Sequence, residues 1–279
     1  MRLGAHMSIG GGLEKAVVRG QEVGCEAIQI FTKSSNQWKA KPLTPTEVTT
    51  FRDACQTASI GPVIAHSAYL INLAAPDEAL YERSIQALLD EMQRCELLGI
   101  PYLVVHPGAH MGTGEDQGLQ RICAAIDRIH RETPKMQAAL TLEVTAGQGT
   151  VLASKFEHFA VILEQVAEPE RLGFCLDTCH LLAAGYDFRT RRGYDRMMDA
   201  WEELVGIERI RVIHLNDSKK DLGSRVDRHE HIGQGCIGTQ GFEWLLNDHR
   251  LAKLPMVLET PKDDDADARN LATLRSLLH

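Results

Sequence analysis

The chain has 279 residues, 44% of them hydrophobic, and a formal net charge of −8. That length supports one sizeable core and a single domain over residues 1–279. No apolar run reaches the roughly 20 residues of a membrane helix, the start MRLGAHMS has no signal-peptide core, and the acidic balance alone argues against nucleic acid, whose binding rests on neutralising phosphates.

These readings place the protein in the cytoplasm, away from membranes. Its seven scattered cysteines do not suggest a disulfide framework. Cys175 and Cys179 lack a second pair to complete a zinc site and read as small core residues.

Short apolar runs bounded by turn signals recur along the chain. They are RLGA (2–5), AIQIF (27–31), PVIA (62–65), YLVV (102–105), ALTL (139–142), LGFCL (172–176), RVIH (211–214) and PMVLE (255–259). Length and β-branched content favour strands. Amphipathic segments separate them. Residues 78–99 put Leu80, Ile85, Leu88, Leu89, Met92 and Leu97 on or near one face, with Gly99 as the C-cap. Residues 154–167 open on Ser154, with Glu157 three later, a capping box. Eight strand–helix repeats predict a (β/α)8 TIM barrel. An open doubly wound sheet is second, without a GxGxxG after any strand to support it.

In such a barrel the site forms at the C-terminal strand ends. Those ends carry His6, then Phe31-Thr32-Lys33, then His66, His106, Glu143, Asp177, His214 and Glu259. One such histidine alone would be a structural hydrogen-bonding group, and one carboxylate alone a helix cap. Three carboxylates meeting in one bowl would repel each other and resist desolvation. Divalent cations remove that cost, and imidazole with carboxylate suits zinc or manganese. His180, three residues after Asp177, falls in the next loop or first helical turn. Asp227 and His229 are alternate residues of an extended segment and share a face. With His180 they make a further ligand set. Asp263, Asp264 and Asp265 read as a solvated charge run.

Three long motifs, HSAYLINLA (66–74), GFCLDTCH (173–180) and HLNDSKKDLGSRVDRH (214–229), are similar to those of the endonuclease IV family. FTKSSNQW (31–38) and AGQG (146–149) also resemble it, and the match spans the chain. The resemblance implies a barrel holding three divalent metal ions, usually zinc. His66, His106 and Glu143 would hold one. Glu143 would bridge to a second, completed by Asp177, His214 and Glu259. His180, Asp227 and His229 would hold the third. Three divalent ions would offset six of the eight net negative charges, and would make the local field positive where a phosphate lands.

The implied activity is base excision repair, as a monomer acting on damaged double-stranded DNA. The chain would hydrolyse the phosphodiester 5′ to an abasic site, leaving a 3′-hydroxyl and a 5′-deoxyribose phosphate, and would clear 3′-blocked ends. A metal-bound hydroxide, oriented by Glu143, is the expected nucleophile. Tyr69 matches the family's inserting tyrosine. Asn36 stands where the family has an inserting arginine, a departure that implies weaker DNA binding or altered lesion preference, with Lys33 as the compensating cation. Arg225 and Arg228 are candidate phosphate contacts, against a reading as surface salt bridges. The rivals are a sugar isomerase or epimerase, which lacks the third ligand set, and a DNA-damage sensor without turnover.

Overall fold

The computed structural model describes residues 1–263 and 265–279. Asp264 lies outside the described residues. Eight parallel strands close a barrel: β1 (Arg2–His6), β2 (Ala27–Phe31), β3 (Val63–His66), β4 (Tyr102–Val105), β5 (Ala139–Glu143), β6 (Leu172–Asp177), β7 (Ile210–His214) and β10 (Pro255–Leu258). Every sequence-read strand is present within about one residue of its expected ends. A short antiparallel pair, β8 (Asp217–Ser218) and β9 (His229–Glu230), follows β7.

Alternation along the strands sets the two faces. Outward residues such as Ile28, Ile30, Leu103 and Leu140 join the large core beneath the helices. Ala27, Ile64, Val104, Cys175, Val212 and Val257 form a separate apolar cluster that fills the barrel. Side chains of one strand share a face every second residue. Two positions beyond those inward residues stand Gln29, His66, His106, Asp177, His214 and Glu259, so the residues that plug the barrel also aim the polar ones into its mouth. Gly4 on β1 is required by close approach, because a Cβ there would lie 1.7 Å from the Ala27 carbonyl oxygen.

The helices clamp this frame. Trp201, on α7 (Arg191–Leu204), is fully buried and packs at 5.0 Å on Phe156, 5.4 Å on Phe159 and 5.8 Å on Phe174. It ties α5 (Phe156–Gln165) to β6, the strand that ends on Asp177. The long helix α3 (Glu78–Leu98) ends at Gly99 in the left-handed region, φ 73°, as expected, and Asp77 caps its start.

Two local expectations fail. Leu97 is exposed and Leu98 is buried, because the apolar stripe runs through Ile85, Leu88, Met92 and Cys95 and reaches 98 at the next turn. The helix after β5 starts at Phe156 with Lys155 as N-cap and no side-chain cap bond, so Ser154 and Glu157 form no capping box. Ser154 instead packs beneath Gly147, 3.0 Å from where a Cβ would sit. Asp263 and Asp265 are exposed, as a solvated charge run would be, and Asp263 also pairs with His231 at 3.3 Å and Arg269 at 2.8 Å.

Candidate metal centre

Among the described residues five groups have all their ligand atoms within 4.8 Å of one another; two include Cys175 or Cys179, and three consist of His, Asp and Glu alone. The first is His66, His106 and Glu143. A second is Glu143, Asp177, His214 and Glu259. A third is His180, Asp227 and His229. Asp177 ends β6, and one of its oxygens accepts from the His180 amide at 2.8 Å, capping α6 (Thr178–Ala184). The strand-end and cap readings of Asp177 are therefore both realised, one by each oxygen. The cap fixes His180 in the first helical turn, facing the same bowl.

Glu143 is the hub. It is fully buried, and four imidazoles approach its carboxylate: His66 at 3.2 Å, His106 at 3.1 Å, His180 at 3.3 Å and His214 at 3.0 Å. Backbone carbonyls, which only accept, settle several tautomers. His66 Nδ1 lies 2.8 Å from the Ser67 oxygen, His180 Nδ1 2.8 Å from Val144, and His229 Nδ1 3.0 Å from Glu259. Each ring must donate Nδ1–H there. That leaves Nε2 facing the bowl. A ligand histidine held through its other nitrogen by a carbonyl is the expected support of a metal site.

The third group tests whether a cation fits. His180 Nε2 and His229 Nε2 each sit 3.2 Å from an Asp227 oxygen. Both nitrogens are buried and neither makes a hydrogen bond. Distances are short while directions are wrong for N–H···O contacts, as when lone pairs converge on a point between them. Nitrogen and oxygen donors without thiolate suit zinc or manganese. Cys175 and Cys179 are buried, and burial pushes each thiol up to about 12, away from the thiolate a metal would need.

Without a cation, protons take that role. Burial would drive the Glu143 carboxyl up, but His214, His106 and His180 hold it well below the usual carboxylate range. Burial would lower His229, but Asp177 and Asp227 raise it to about 9. His180 is raised in the same way by Asp177, Asp227 and Glu143. Glu259, which burial would raise, is lowered to about 2, chiefly by His214. The site thus stores a strong demand for positive charge.

The rim carries the remaining candidates. Tyr69 is 66% exposed, its ring 5.4 Å from Phe31 and 5.9 Å from His66. Asn36 is exposed in a turn after β2. Arg225 and Arg228 are exposed, and among the described residues neither forms an ion pair, so the salt-bridge reading fails. The Arg228 guanidinium donates to the Asp227 carbonyl at 2.7 Å. Lys33 is not brought to this rim. It is 4% exposed, and its Nζ is held by the Trp38 carbonyl at 3.0 Å, Asp90 at 3.1 Å and Glu91 at 3.4 Å. Its charge is neutralised by two carboxylates of α3 behind the loop, so it does not compensate Asn36.

Sequence reasoning missed two buried amides. Asn216 donates to Asp177 at 2.6 Å and accepts from the Glu259 amide at 2.7 Å. Gln29 touches His214 and Glu259. Alternation would have found Gln29, because residue 27 fills the barrel and residue 29 shares its face.

A family model described as a xylose isomerase-like TIM barrel matches residues 17–277. A probable endonuclease 4 of Chloroflexus aurantiacus is 54% identical, covering 99% of this chain and 98% of its own. One of Geobacter sulfurreducens is 50% identical, covering 99% and 94%. The chain belongs to the endonuclease IV family. Membership makes it a metal-dependent nuclease, a hydrolase. The crystal structure of endonuclease IV from Thermus thermophilus superposes with a TM-score of 0.89 at 38% identity, covering 99% of this chain and 98% of that one. A D-tagatose 3-epimerase-like protein superposes at 0.77 with 17% identity, which speaks for the shared barrel alone. The His/Asp/Glu groups above fit a multi-metal site of this family. Among the described residues no helix is long and apolar enough to cross a membrane.

Proposed function

We propose that the chain is a DNA-repair endonuclease that cuts duplex DNA on the 5′ side of abasic sites, leaving a 3′-hydroxyl and a 5′-deoxyribose phosphate. The observation that carries this reading is the convergence of nine candidate ligand side chains beneath one mouth, with an exposed tyrosine and two exposed arginines beside it. A sugar epimerase would have no use for a third cation set bordered by arginines.

His66, His106 and Glu143 would hold one zinc, Glu143, Asp177, His214 and Glu259 a second, and His180, Asp227 and His229 a third. Bound divalent ions would supply Lewis acidity to the phosphodiester and to water at neutral pH. The protein's own groups do the rest. Glu143, buried and ionised, can orient the attacking water by accepting a hydrogen bond from it. With cations bound the carbonyl-held histidines would be neutral and fixed, so little reorganisation would be needed at the moment of reaction.

Lesion selection would fall to the rim. An abasic nucleotide has little stacking to lose, so its extrusion is cheap. Tyr69 stands clear of the core and can fill the vacated stack. Arg225 and Arg228 can reach flanking phosphates. The cavity between Phe31, Tyr69, His229 and Glu259, about 190 Å³, would take the extruded sugar and its phosphate. The same centre would remove phosphates or sugar fragments from 3′ ends, which present the same bond to the same groups.

The test is a labelled duplex with one tetrahydrofuran residue. That analogue cannot undergo β-elimination, so a cut strand requires hydrolysis. One product ending in a 3′-hydroxyl directly 5′ of the lesion is expected. Tight binding without a cut, by protein carrying its metals, would reduce the protein to a damage sensor.

A further inference from the structure

Gln29 lies on β2, wholly buried. Its side chain makes three polar contacts. Nε2 is 2.6 Å from Glu259 Oε1 and 3.1 Å from His6 Nδ1. Oε1 is 2.7 Å from His214 Nε2. The two ends of an amide are told apart by their partners. Here the partners decide, because an ionised carboxylate only accepts and the NH2 end must face Glu259. The oxygen then faces His214, and that ring must carry its proton on Nε2. Its Nδ1 is then the nitrogen that a cation can take, 3.0 Å from Glu143 Oε1 and 3.2 Å from Glu259 Oε2, and a second proton fills that place when no cation is bound. The second amide hydrogen points at His6 Nδ1, which accepts it.

We propose that Gln29 is a positioning residue for the second cation. It selects the His214 tautomer with a free Nδ1 and aims Glu259, so one amide presets two of the four groups around that position. It touches neither substrate nor metal. His66, His180 and His229 have their tautomers set by backbone carbonyls. His214 is set by a side chain from a different strand, 185 residues away in sequence. The inference rests on Glu143, Asp177, His214 and Glu259 as a cation site. It does not depend on DNA being the substrate.

The experiment compares zinc-loaded wild type with Gln29→Met and Gln29→Glu. Metal content is counted by mass spectrometry against a graded chelator, and the stripped proteins are melted alongside. Met keeps the length of the side chain and removes both polar ends. Glu keeps an acceptor for His214 and sets a second carboxylate against Glu259. Loss of an outer partner costs roughly 10–100-fold in metal affinity. The expected result is that one zinc equivalent of Gln29→Met leaves at about 10–100-fold less chelator, while the others and the melting of the stripped protein match wild type. Gln29→Glu should weaken the same equivalent. Unchanged retention in a folded Gln29→Met protein would overturn the proposal. So would uniform loss of every equivalent with a lower-melting stripped protein, which would mark a core role only. A wild type that binds no zinc fails in the control lane, and there the metal reading itself falls.

Discussion

Removing the metals should leave a protein whose stability falls as pH rises through neutrality. His229 shows the size of the effect. Its side chain is 17% exposed and faces Asp227 at 3.2 Å. Burial disfavours its charged form, but Asp177 and Asp227 win and raise it from 6.5 to about 9. A raised folded pKa contributes stability that is complete below about pH 6.5 and is lost as pH climbs through about 9. Each unit is worth about 1.4 kcal/mol, so this one ring contributes on the order of 3 kcal/mol. A chain this large melts about 2 °C lower per kcal/mol, and the stripped protein should lose about 6 °C between pH 6.5 and 9. His66, His180 and His214 are shifted in the same direction, so the sign does not hang on one residue. On the acid side the order reverses. Glu259, lowered to about 2, contributes above about pH 4.5 and loses its share as pH falls toward 2. The zinc-loaded protein should show no such alkaline decline, because deprotonation favours metal binding. Scanning calorimetry of both forms at four pH values between 6 and 9 is the assay. A stripped protein whose melting point stays flat or rises over that range would refute the reasoning.

Glu143→Gln removes the charge that four imidazoles face and should cut incision of abasic duplex by at least about 10²-fold, measured in single turnover. Asn36→Arg should tighten binding to abasic duplex several-fold, by anisotropy, because Arg supplies both a planar stacking surface and a charge. Equal affinity would show that this turn does not meet the DNA. Arg228→Ala should lower affinity for abasic and intact duplex alike and flatten the salt dependence by roughly one unit of slope.

Much of this was legible in the sequence, for a physical reason. Barrel strands are buried on both faces and read as short continuous apolar runs, so their ends were visible within a residue. A polar residue just beyond such a run has nowhere to point but the mouth. That made His66, His106, Glu143, Asp177, His214 and Glu259 readable one by one. The rest depended on partners remote in sequence. Lys33 reads as a free loop cation until α3 supplies Asp90 and Glu91. Leu97 and Leu98 differ only in helical phase. Ser154 is a good cap residue, but the chain enters α5 one residue later. Gln29 was hidden because it stands two residues before the end of its strand, at Phe31, and only alternation from Ala27 reveals that it shares the inward face.

The most direct measurement is a zinc titration of the stripped protein, with incision of the tetrahydrofuran duplex followed at each equivalent. If three ligand groups act as one centre, cutting stays near baseline through the first two equivalents and returns with the third. Full activity at one or two equivalents, or none after three, would contradict the account.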